Sequence, residues 1–528
     1  MADTVWWKRG VIYQVYPRSF QDTNGDGVGD LAGIRARLDY LTWLGVDALW
    51  ISPIYPSPMA DFGYDVQDYC DVDPLFGSLG DFDRLVAAAH ARGLKVILDF
   101  VPNHTSDRHP WFAESRSSRR NLKRDWYVWR DGKADGAPPN NWVSQFGGPA
   151  WTLDEATGQY YLHSFLREQP DLNWRNAQVR AAMNDVLRFW LDRGVDGFRV
   201  DVIWLLIKDA ALRDNPENPG YQPTQAAINR YLQLHNADQA EVHDVVAEMR
   251  AVLDRYDERV LIGEIYLPVE RLVAYYGRDL SGAHLPFNFQ LVHAAWTAAE
   301  IARLVTEYEA ALPPGGWPNW VLGNHDQPRI AARVGTAQAR VAAMLLLTLR
   351  GTPTLYYGDE IGIARVPIAP EAMQDPWEKN EPGLGLSRDP SRTPFQWDSS
   401  PNAGFTDGRP WLPLDPEFAI HNVQALRDDP ISILNLHRRL IALRRRHPAL
   451  SIGTFRLMDV QGDVIVYQRE WGGETIVVCL NFGNREQIVS VSVQFARLSI
   501  LASTYLDRAG PIDDLALRPD EGVILVPD

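Results

Sequence analysis

Short runs of β-branched and hydrophobic residues alternate with amphipathic helical stretches through most of this sequence, and this alternation limits the fold more than any other feature. It is typical of βα units, whose strands pair in parallel. Eight strands are predicted, at residues 11–15, 48–52, 95–100, 197–201, 260–264, 285–289, 320–324 and 354–357. Eight parallel strands close into a barrel, so the predicted fold class is α/β and the predicted architecture is a TIM (β/α)8 barrel.

Two stretches of the chain do not follow this alternation, and they predict further domains. After the third strand a Trp-, Pro- and Gly-rich region predicts an inserted domain at residues 105–173, between barrel parts at 1–104 and 174–450. The second barrel part includes a polar, Pro-rich stretch at about 364–430, which is too long for an ordinary loop and is expected at the barrel mouth. Residues 451–528 contain strand-like runs without helices between them, which predicts a small antiparallel β-domain.

The charge and the cysteine content exclude several classes of function. The formal net charge is -16, which argues against a nucleic-acid partner because binding to a phosphate backbone needs a positive surface. The simplest substrate is therefore small and neutral. Only two cysteines are present, Cys70 and Cys479, and they lie far apart in the sequence, so a disulfide framework is not expected. Without a signal-peptide pattern or a long apolar run, a cytoplasmic protein with no membrane partner is predicted.

Polar side chains follow the predicted strands where each strand ends, which is where barrel enzymes hold their reacting groups. They follow the third, fourth, fifth and seventh strands: Asp99, Asn103, His104, Arg199, Asp201, Glu264, His325 and Asp326. A single carboxylate of this kind could be structural and accept hydrogen bonds at a βα turn. Carboxylates at the ends of several strands, beside an Arg or a His, instead indicate a catalytic site.

These strand ends also carry a resemblance to a known family. In order and spacing the sequence resembles the α-amylase family, glycoside hydrolase family 13, through four segments: DFVPNH at 99–104, GFRVD at 197–201, GE at 263–264 and NHD at 324–326. QPDLNW at 169–174 resembles the segment typical of the α-glucosidase and oligo-1,6-glucosidase branch. DFGYD at 61–65 and GTPTLYYGDE at 351–360 support the same branch, so the likeness runs from Trp6 to about Trp411.

The resemblance implies both an architecture and a reaction. The architecture is a TIM barrel with an inserted domain after strand 3 and a C-terminal antiparallel β-sandwich. The reaction is that of a retaining, exo-acting α-glucosidase, which releases α-glucose from the non-reducing ends of maltose, isomaltose and related short α-glucosides by double displacement, with transglucosylation as a side reaction. The substrate partner is then a small neutral oligosaccharide, and no organic cofactor is needed.

The family pattern assigns roles to the three carboxylates, and glycoside chemistry explains them. A retaining enzyme needs a carboxylate nucleophile close to a carboxylic acid, and Asp201 and Glu264 match these two positions. Arg199, two residues before Asp201 on the same strand face, is expected to keep Asp201 ionised. A desolvated pocket shared with other carboxylates is expected to raise the pKa of Glu264. Asp326 resembles the third carboxylate of the family, which binds sugar hydroxyls.

Other positions resemble the substrate-binding residues of this branch. His104 and His325 match histidines that bind hydroxyls of the cleaved glucose, although each could also be a histidine satisfied in the core. Asp61, Tyr64 and Arg392 match positions that close the pocket around a terminal glucose. The remaining candidates are aromatic walls and one residue that follows the nucleophile: Phe146, Phe165 and Val202. A valine after the nucleophile resembles the α-1,6-acting members, with simple barrel packing as the alternative.

A separate motif lies in the loop after the first strand. Oxygen ligands occur there at alternate positions, as in the first part of an EF-hand loop: Asp22, Asn24, Asp26, the carbonyl of Val28 and Asp30. Gly27 occupies the sixth position, where a sharp turn is needed, but Gly33 replaces the usual glutamate at the twelfth. The motif predicts a structural Ca²⁺ or Mg²⁺ site, with a metal-free Asx-turn loop as the alternative.

Three other functions compete with hydrolysis. A glucosyl transferase or an isomerase acting on sucrose or trehalose would share every catalytic residue, although residues 365–368 lack the charged Arg-Leu-Asp-Arg-Asp run of isomaltulose-forming relatives. A non-catalytic relative would carry a membrane anchor and would not need all three carboxylates. A sugar-binding module would not need an acid and a nucleophile. The sequence leaves the linkage preference and the oligomeric state open.

Overall fold

The computed structural model describes residues 5–490, 497–512 and 514–527. Eight parallel strands close into a barrel in sequential order, which confirms the predicted fold class. The strands are β1 Ile12–Val15, β2 Ala48–Ile51, β3 Lys95–Phe100, β4 Gly197–Val200, β5 Val260–Gly263, β6 Leu285–Asn288, β7 Asn319–Val321 and β8 Thr352–Tyr356. Every residue of these eight strands is buried except Lys95, the first residue of β3, because helices cover the outside of the barrel and side chains fill the inside.

Helices surround the barrel and bury one face each against it. The helix Leu79–His90 begins with a capping box between Ser78 and Asp81, which satisfies amide groups that would otherwise lack partners. The longer helices are Leu31–Ala36, Leu38–Leu44, Leu79–His90, Ala177–Asp192, Val242–Leu253, Ala298–Ala311, Thr336–Thr348 and Ile433–Arg446. Shorter helices lie at Trp6–Arg9, Val269–Leu272, Gln290–His293, Ile330–Val334, Val423–Asp428 and Pro448–Ile452.

A small antiparallel sheet interrupts the barrel after β3, inside the range predicted for the inserted domain. Its strands are Trp129–Arg130, Trp151–Asp154 and Gln159–Leu162, with Gln159–Leu162 in the middle. The helix Pro110–Ser117 packs Phe112 against Trp129 and Tyr161. This aromatic cluster holds the insertion together, because stacked and edge-on rings bury large apolar surfaces.

The C-terminal region contains two antiparallel sheets that share one core. The larger has the strands Thr454–Gln461, Val464–Trp471, Glu474–Asn481, Leu498–Ser503, Gly510–Ile512 and Gly522–Pro527, and the smaller has Gln487–Val489 and Leu515–Leu517. Val466 and Val477 of the larger sheet are buried in one cluster with Leu517 of the smaller sheet. Residues 491–496, 513 and 528 of the predicted β-domain lie outside the described residues.

Two buried arginines join this region to the barrel. Arg444, on the helix Ile433–Arg446, and Arg469, on the strand Val464–Trp471, both donate to the carbonyl of Leu450, at 2.8 and 2.9 Å. Burial lowers the pKa of Arg444 to about 10 and that of Arg469 to about 9. Backbone carbonyls therefore serve as the hydrogen-bond partners of two desolvated guanidinium groups at this junction.

Two long connections rise above the C-terminal ends of the strands. The connection after β4 contains only the short 3-10 helices Ile203–Leu205 and Ala227–Arg230 before the helix Val242–Leu253. The connection after β8 contains the short elements Pro370–Ala372, Pro376–Asn380, Asp389–Ser391 and Pro401–Gly404. The polar stretch predicted at the barrel mouth lies in this second connection.

Within residues 5–490, 497–512 and 514–527, no helix is long and apolar enough to cross a bilayer. Cys70 and Cys479 are both free thiols, and the cytoplasmic location stays a prediction.

Candidate active site

A cavity of about 430 Å³ opens where the barrel strands end. Its lining brings together Asp201, from the end of β4, Glu264, from the end of β5, and Asp326, beyond the end of β7. Parallel strands direct the polar residues that follow them toward one end of the barrel, which explains the meeting of side chains so far apart in the sequence. All three carboxylates predicted to be catalytic therefore face one space.

Arg199 connects the carboxylates at the base of the cavity. Its guanidinium is fully buried and lies 2.7 Å from Asp99, 2.8 Å from Asp201 and 2.7 Å from Glu264. Arg199 and Asp201 are two residues apart, so they point to the same face of the strand. One guanidinium thus holds Asp201 and Glu264 next to each other without lining the cavity itself.

The surroundings of Glu264 favour its acid form. Burial raises its pKa to about 7, with a further contribution from the charges of Asp326 and Asp99, while Arg199 and a hydrogen bond from the Val202 amide oppose the rise. The Val202 N–H donates to Glu264 Oε2 at 2.8 Å. A carboxyl group with this pKa still carries a proton near neutral pH, as a general acid must.

The pKa of Asp201 does not follow the expectation that Arg199 would keep this carboxylate ionised. Burial raises its pKa well above the usual range, and the charges of Glu264, Asp99 and Asp326 add to the rise against the opposing charge of Arg199. The charge of Glu264 therefore raises the pKa of Asp201, and Arg199 opposes the rise at both carboxyl groups.

Asp326 is held by cations and keeps its charge. Although burial raises its pKa, the neighbouring His325, Arg392 and Arg388 lower it to well below the usual range. Arg392 lies 2.8 Å from Asp326, and Arg388 and His325 each lie 3.2 Å from it. His325 lies behind the lining, where burial lowers its pKa and the charge of Asp326 opposes that shift.

Arg388 occupies the place at the closed end of the cavity that was predicted for Arg392. Arg388 lines the cavity, and its Nη2 lies 2.8 Å from Asp61. Arg392 is fully buried behind Asp326 and donates to the His325 carbonyl at 2.9 Å. The expectation that Arg392 closes the pocket is therefore wrong: both arginines contact Asp326, but only Arg388 lines the cavity, whereas Arg392 is buried beneath that carboxylate.

The other predicted binding residues surround the same end of the cavity. Tyr64 donates to Asp99 at 2.9 Å and stacks on His325 with ring centroids 5.2 Å apart. His104 lies 5.1 Å from the ring of Phe165, and Phe165 lies 5.7 Å from Phe146. Asp61, Tyr64, His104, Phe146 and Phe165 all line the cavity.

Val202 also lines the cavity and has an unusual backbone. Its φ is 37° and its ψ is 46°, a left-handed conformation that is rare for a β-branched residue. Its side chain packs in one cluster with Leu205 and Ala237, next to Trp204. The left-handed turn presents the Val202 amide to Glu264, so strain at this residue accompanies a contact at the site.

One side of the cavity was not predicted from the sequence. This side is lined by residues of the connection after β4 and by the ends of neighbouring connections: Trp204, Ile228, Asn229, Gln233, Ala237, Tyr266, Leu267, His293 and Trp377. Its apolar and amide side chains contrast with the charged end around Asp61 and Arg388. The available signal was the length of the segment after Asp201 without helical periodicity, which is typical of functional loops.

The loop after β1 has the oxygen ligands that Ca²⁺ or Mg²⁺ prefers, but it is closed by its own hydrogen bonds. Asp22 accepts from the amides of Asn24, Gly25 and Gly27 at 2.8 to 2.9 Å. Asp30 caps the helix Leu31–Ala36. The described part of the chain contains no group of three or more His, Cys, Asp and Glu side chains that could hold a metal. A cation here would also need Asn24 and the carbonyl of Val28.

Comparisons with known proteins identify the family of this chain. The family described as "Alpha amylase, catalytic domain" matches residues 14–453. A probable α-glucosidase of Rhizobium meliloti (strain 1021) is 43% identical over 91% of this chain and 90% of its own length, and the oligo-1,6-glucosidase of Parageobacillus thermoglucosidasius is 39% identical over 98% of both chains. The crystal structure of the α-glucosyl transfer enzyme XgtA superimposes with a TM-score of 0.94 at 42% identity and covers 100% of both chains. The chain therefore belongs to the α-amylase family and is a glycoside hydrolase.

Proposed function

We propose that this chain is a retaining, exo-acting α-glucosidase that releases α-glucose from the non-reducing ends of short α-glucosides. The observation that carries the proposal is the contact of one buried guanidinium, that of Arg199, with both Asp201 and Glu264 at the base of the cavity. Two relatives of this chain carry the names α-glucosidase and oligo-1,6-glucosidase, which supports the same substrate class.

The proposed reaction has two displacements. Asp201 attacks the anomeric carbon while Glu264 gives its proton to the departing glycosidic oxygen, which leaves a β-linked glucosyl ester on Asp201 and a free aglycone alcohol. Glu264, now ionised, then takes a proton from water as that water attacks the ester. The product is α-glucose, Asp201 is released as a carboxylate, and Glu264 is again protonated. Asp326, which keeps its charge, accepts hydrogen bonds from the sugar hydroxyls.

The ion pair between Asp61 and Arg388 explains why one unit would be removed at a time. Both side chains are buried, and their 2.8 Å contact closes the charged end of the cavity. A terminal glucose fits against this end, whereas an internal unit of a longer chain would need space beyond it. The rest of the substrate must therefore extend toward the side lined by Trp204 and Ile228.

The test is the anomeric form and the identity of the first product. Proton NMR during hydrolysis of maltotriose should detect the released glucose as the α anomer before mutarotation, and the other product should be maltose. β-Glucose as the first product would exclude retention, and absence of turnover on every α-glucoside would exclude the proposed activity.

Glucosyl transfer is the second candidate, and the apolar side of the cavity favours it. Apolar side chains beside the glucosyl ester would bind a second sugar or another alcohol in preference to water. XgtA, which superimposes on this chain, is described as an α-glucosyl transfer enzyme. Products from maltose, isomaltose, sucrose and trehalose, each at low and high concentration, separate the two candidates: hydrolysis gives monosaccharides throughout, whereas transfer gives longer or isomeric sugars, increasingly at high concentration.

We also propose that the loop after β1 binds a structural Ca²⁺ or Mg²⁺. Support comes from the ligand types and their alternate spacing in the sequence, which supplies three carboxylates, an amide oxygen and a backbone carbonyl: Asp22, Asp26, Asp30, Asn24 and Val28. Within the described residues these carboxylates do not form a three-ligand group, so the ion would have to draw them together. An ion there would offset the negative charge that these carboxylates concentrate in one turn and would stabilise the loop. No step of the proposed reaction uses it.

A further inference from the structure

The mouth of the cavity is built from three segments that are far apart in the sequence. Phe146 comes from the inserted domain, Ile228 from the connection after β4, and Trp377 from the connection after β8; all three line the cavity. Phe146 and Trp377 pack with ring centroids 5.6 Å apart. Ile228 belongs to the 3-10 helix Ala227–Arg230, which is on a different segment, so another contact must hold it against the other two.

Glu381 contacts all three segments. Its Oε1 accepts a hydrogen bond from the Ala227 amide at 2.8 Å, and its Oε2 accepts one from Trp377 Nε1 at 3.2 Å. Its Cγ lies against Gly147, where an added Cβ would come within 2.6 Å. Gly147 has a φ of 84°, a conformation that suits glycine, and the missing side chain leaves the space that Glu381 fills. One side chain thus links three parts of the rim.

We propose that Glu381 is a positioning residue for the aglycone side of the cavity, where it holds the rim closed around the second sugar of the substrate. This inference rests on the proposed exo-glucosidase function. Asp61 and Arg388 close the charged end of the cavity, and Phe146 of the rim packs over the Arg388 guanidinium at 4.7 Å. The aglycone must therefore leave the closed end past the rim that Glu381 holds together. Glu381 acts through Trp377 and the turn at Ala227 rather than by contact with the reacting atoms.

Two different substitutions remove the same link. In Glu381→Gln one acceptor oxygen becomes an NH₂ group, which cannot accept the second hydrogen bond. Ala227→Pro removes the amide that Glu381 binds and leaves the Glu381 side chain unchanged. Ala227 is the first residue of its 3-10 helix, where proline is tolerated, and Ala226 has a φ of -54° and a ψ of 143°, which suits the residue before a proline. Glu371→Gln, an exposed carboxylate in the same connection, is the matched control.

The measurement compares substrates that do and do not fill the aglycone side. Both variants should lower kcat/KM for isomaltose and maltose by about tenfold, mainly through KM, because a loosened rim loses contacts with the second sugar. For α-glucosyl fluoride, whose leaving group is a single atom, kcat/KM should stay within about twofold of wild type. The double variant should be no worse than either single variant, because both break one link. Glu371→Gln should match wild type on all three substrates.

Three results would overturn the role of Glu381: an equal loss on fluoride and disaccharides, additive losses in the double variant, or no loss in either single variant. Thermal unfolding of each variant identifies any variant that fails to fold. The kinetics of the other single variant then test the role of Glu381. Wild-type turnover of α-glucosyl fluoride tests the proposed function separately. If the wild type leaves that substrate intact, the glucosidase proposal fails before the rim is considered.

Discussion

At the scale of single residues, the proposed mechanism gives Asp201 and Glu264 different roles in the first displacement, and an external nucleophile can separate these roles. Asp201→Gly should lower turnover by at least about a thousandfold, the scale on which loss of a nucleophile acts. Azide should restore product formation by attacking from the vacated side, and the product should be β-glucosyl azide because a single displacement inverts the anomeric carbon. An α-configured azide would remove Asp201 as the nucleophile. Leaving Glu264 unchanged in this variant keeps the acid in place.

The raised pKa of Glu264 sets the expected pH dependence. Its pKa of about 7 results from burial and from the charges of Asp326 and Asp99. The proton is present below this pKa and lost above it, so kcat/KM for isomaltose should fall by about tenfold per pH unit on the alkaline side. Fluoride leaves without a proton, so the profile for α-glucosyl fluoride should decline less. Equal alkaline profiles for the two substrates would contradict the acid role.

Val202 gives a prediction about linkage. Its branched side chain borders the aglycone side next to Glu264, and an α-1,4-linked aglycone lies closer to this strand than an α-1,6-linked one, which has an extra methylene. We expect isomaltose to be preferred over maltose in kcat/KM, and Val202→Ala to shift the ratio toward maltose by about 1–3 kcal/mol or less, the scale of methyl groups in a pocket. An unchanged ratio would assign the preference to residues 365–381 instead.

At the scale of elements, the loop after β1 gives a prediction about metal removal. The loop contacts the connection after β8, since Asp22 accepts a hydrogen bond from the Thr406 hydroxyl. A bound ion stabilises the folded state in proportion to the logarithm of its saturation. Chelation should therefore lower Tm while the folded enzyme retains its turnover, and Asp26→Ala should abolish the dependence of Tm on added Ca²⁺ or Mg²⁺.

The exposed Asp257 offers the control for the loop. Asp257→Ala should keep the wild-type response of Tm to chelator. Equal Tm values for the wild type with and without chelator, after metal removal has been verified by elemental analysis, would argue against a structural ion.

The elements that could be predicted best from the sequence are those whose pattern of apolar and polar residues follows from burial. The barrel strands are short apolar runs followed by polar residues, so both their position and the meeting of Asp201, Glu264 and Asp326 could be predicted. That Arg388 lines the cavity in place of Arg392 could not be predicted, because the positions of the two side chains depend on how the turn Asp389–Ser391 folds. The aglycone side and Glu381 were missed for a related reason: irregular connections have no periodicity from which side-chain directions follow.

At the scale of the whole molecule, the junction between barrel and C-terminal sheets depends on two buried cations. Arg444 donates to the carbonyls of Leu347, Leu349 and Leu450. Arg444→Met would leave these buried acceptors short of donors, at about 1–3 kcal/mol for each unsatisfied group. We expect a lower Tm in calorimetry, with kcat on isomaltose nearly unchanged in the folded fraction. Arg446→Met, an exposed position on the same helix, should leave Tm as in wild type, and equal Tm values for both variants would contradict the role of the junction.

The ion pair between Asp61 and Arg388 closes one end of the cavity, and with the proposed exo action this implies an order of arrivals and departures. A substrate must enter with its terminal glucose first, its aglycone must depart first, and water must then reach the ester along the path that the aglycone vacated. Under the proposed exo action a chain cannot slide forward to present its next unit, so we expect every cleavage to end the encounter and the attack to be distributive. In the proposed reaction, an alcohol that enters the vacated path ahead of water would receive the glucosyl group. Free glucose that remains bound at the closed end would compete with the next substrate.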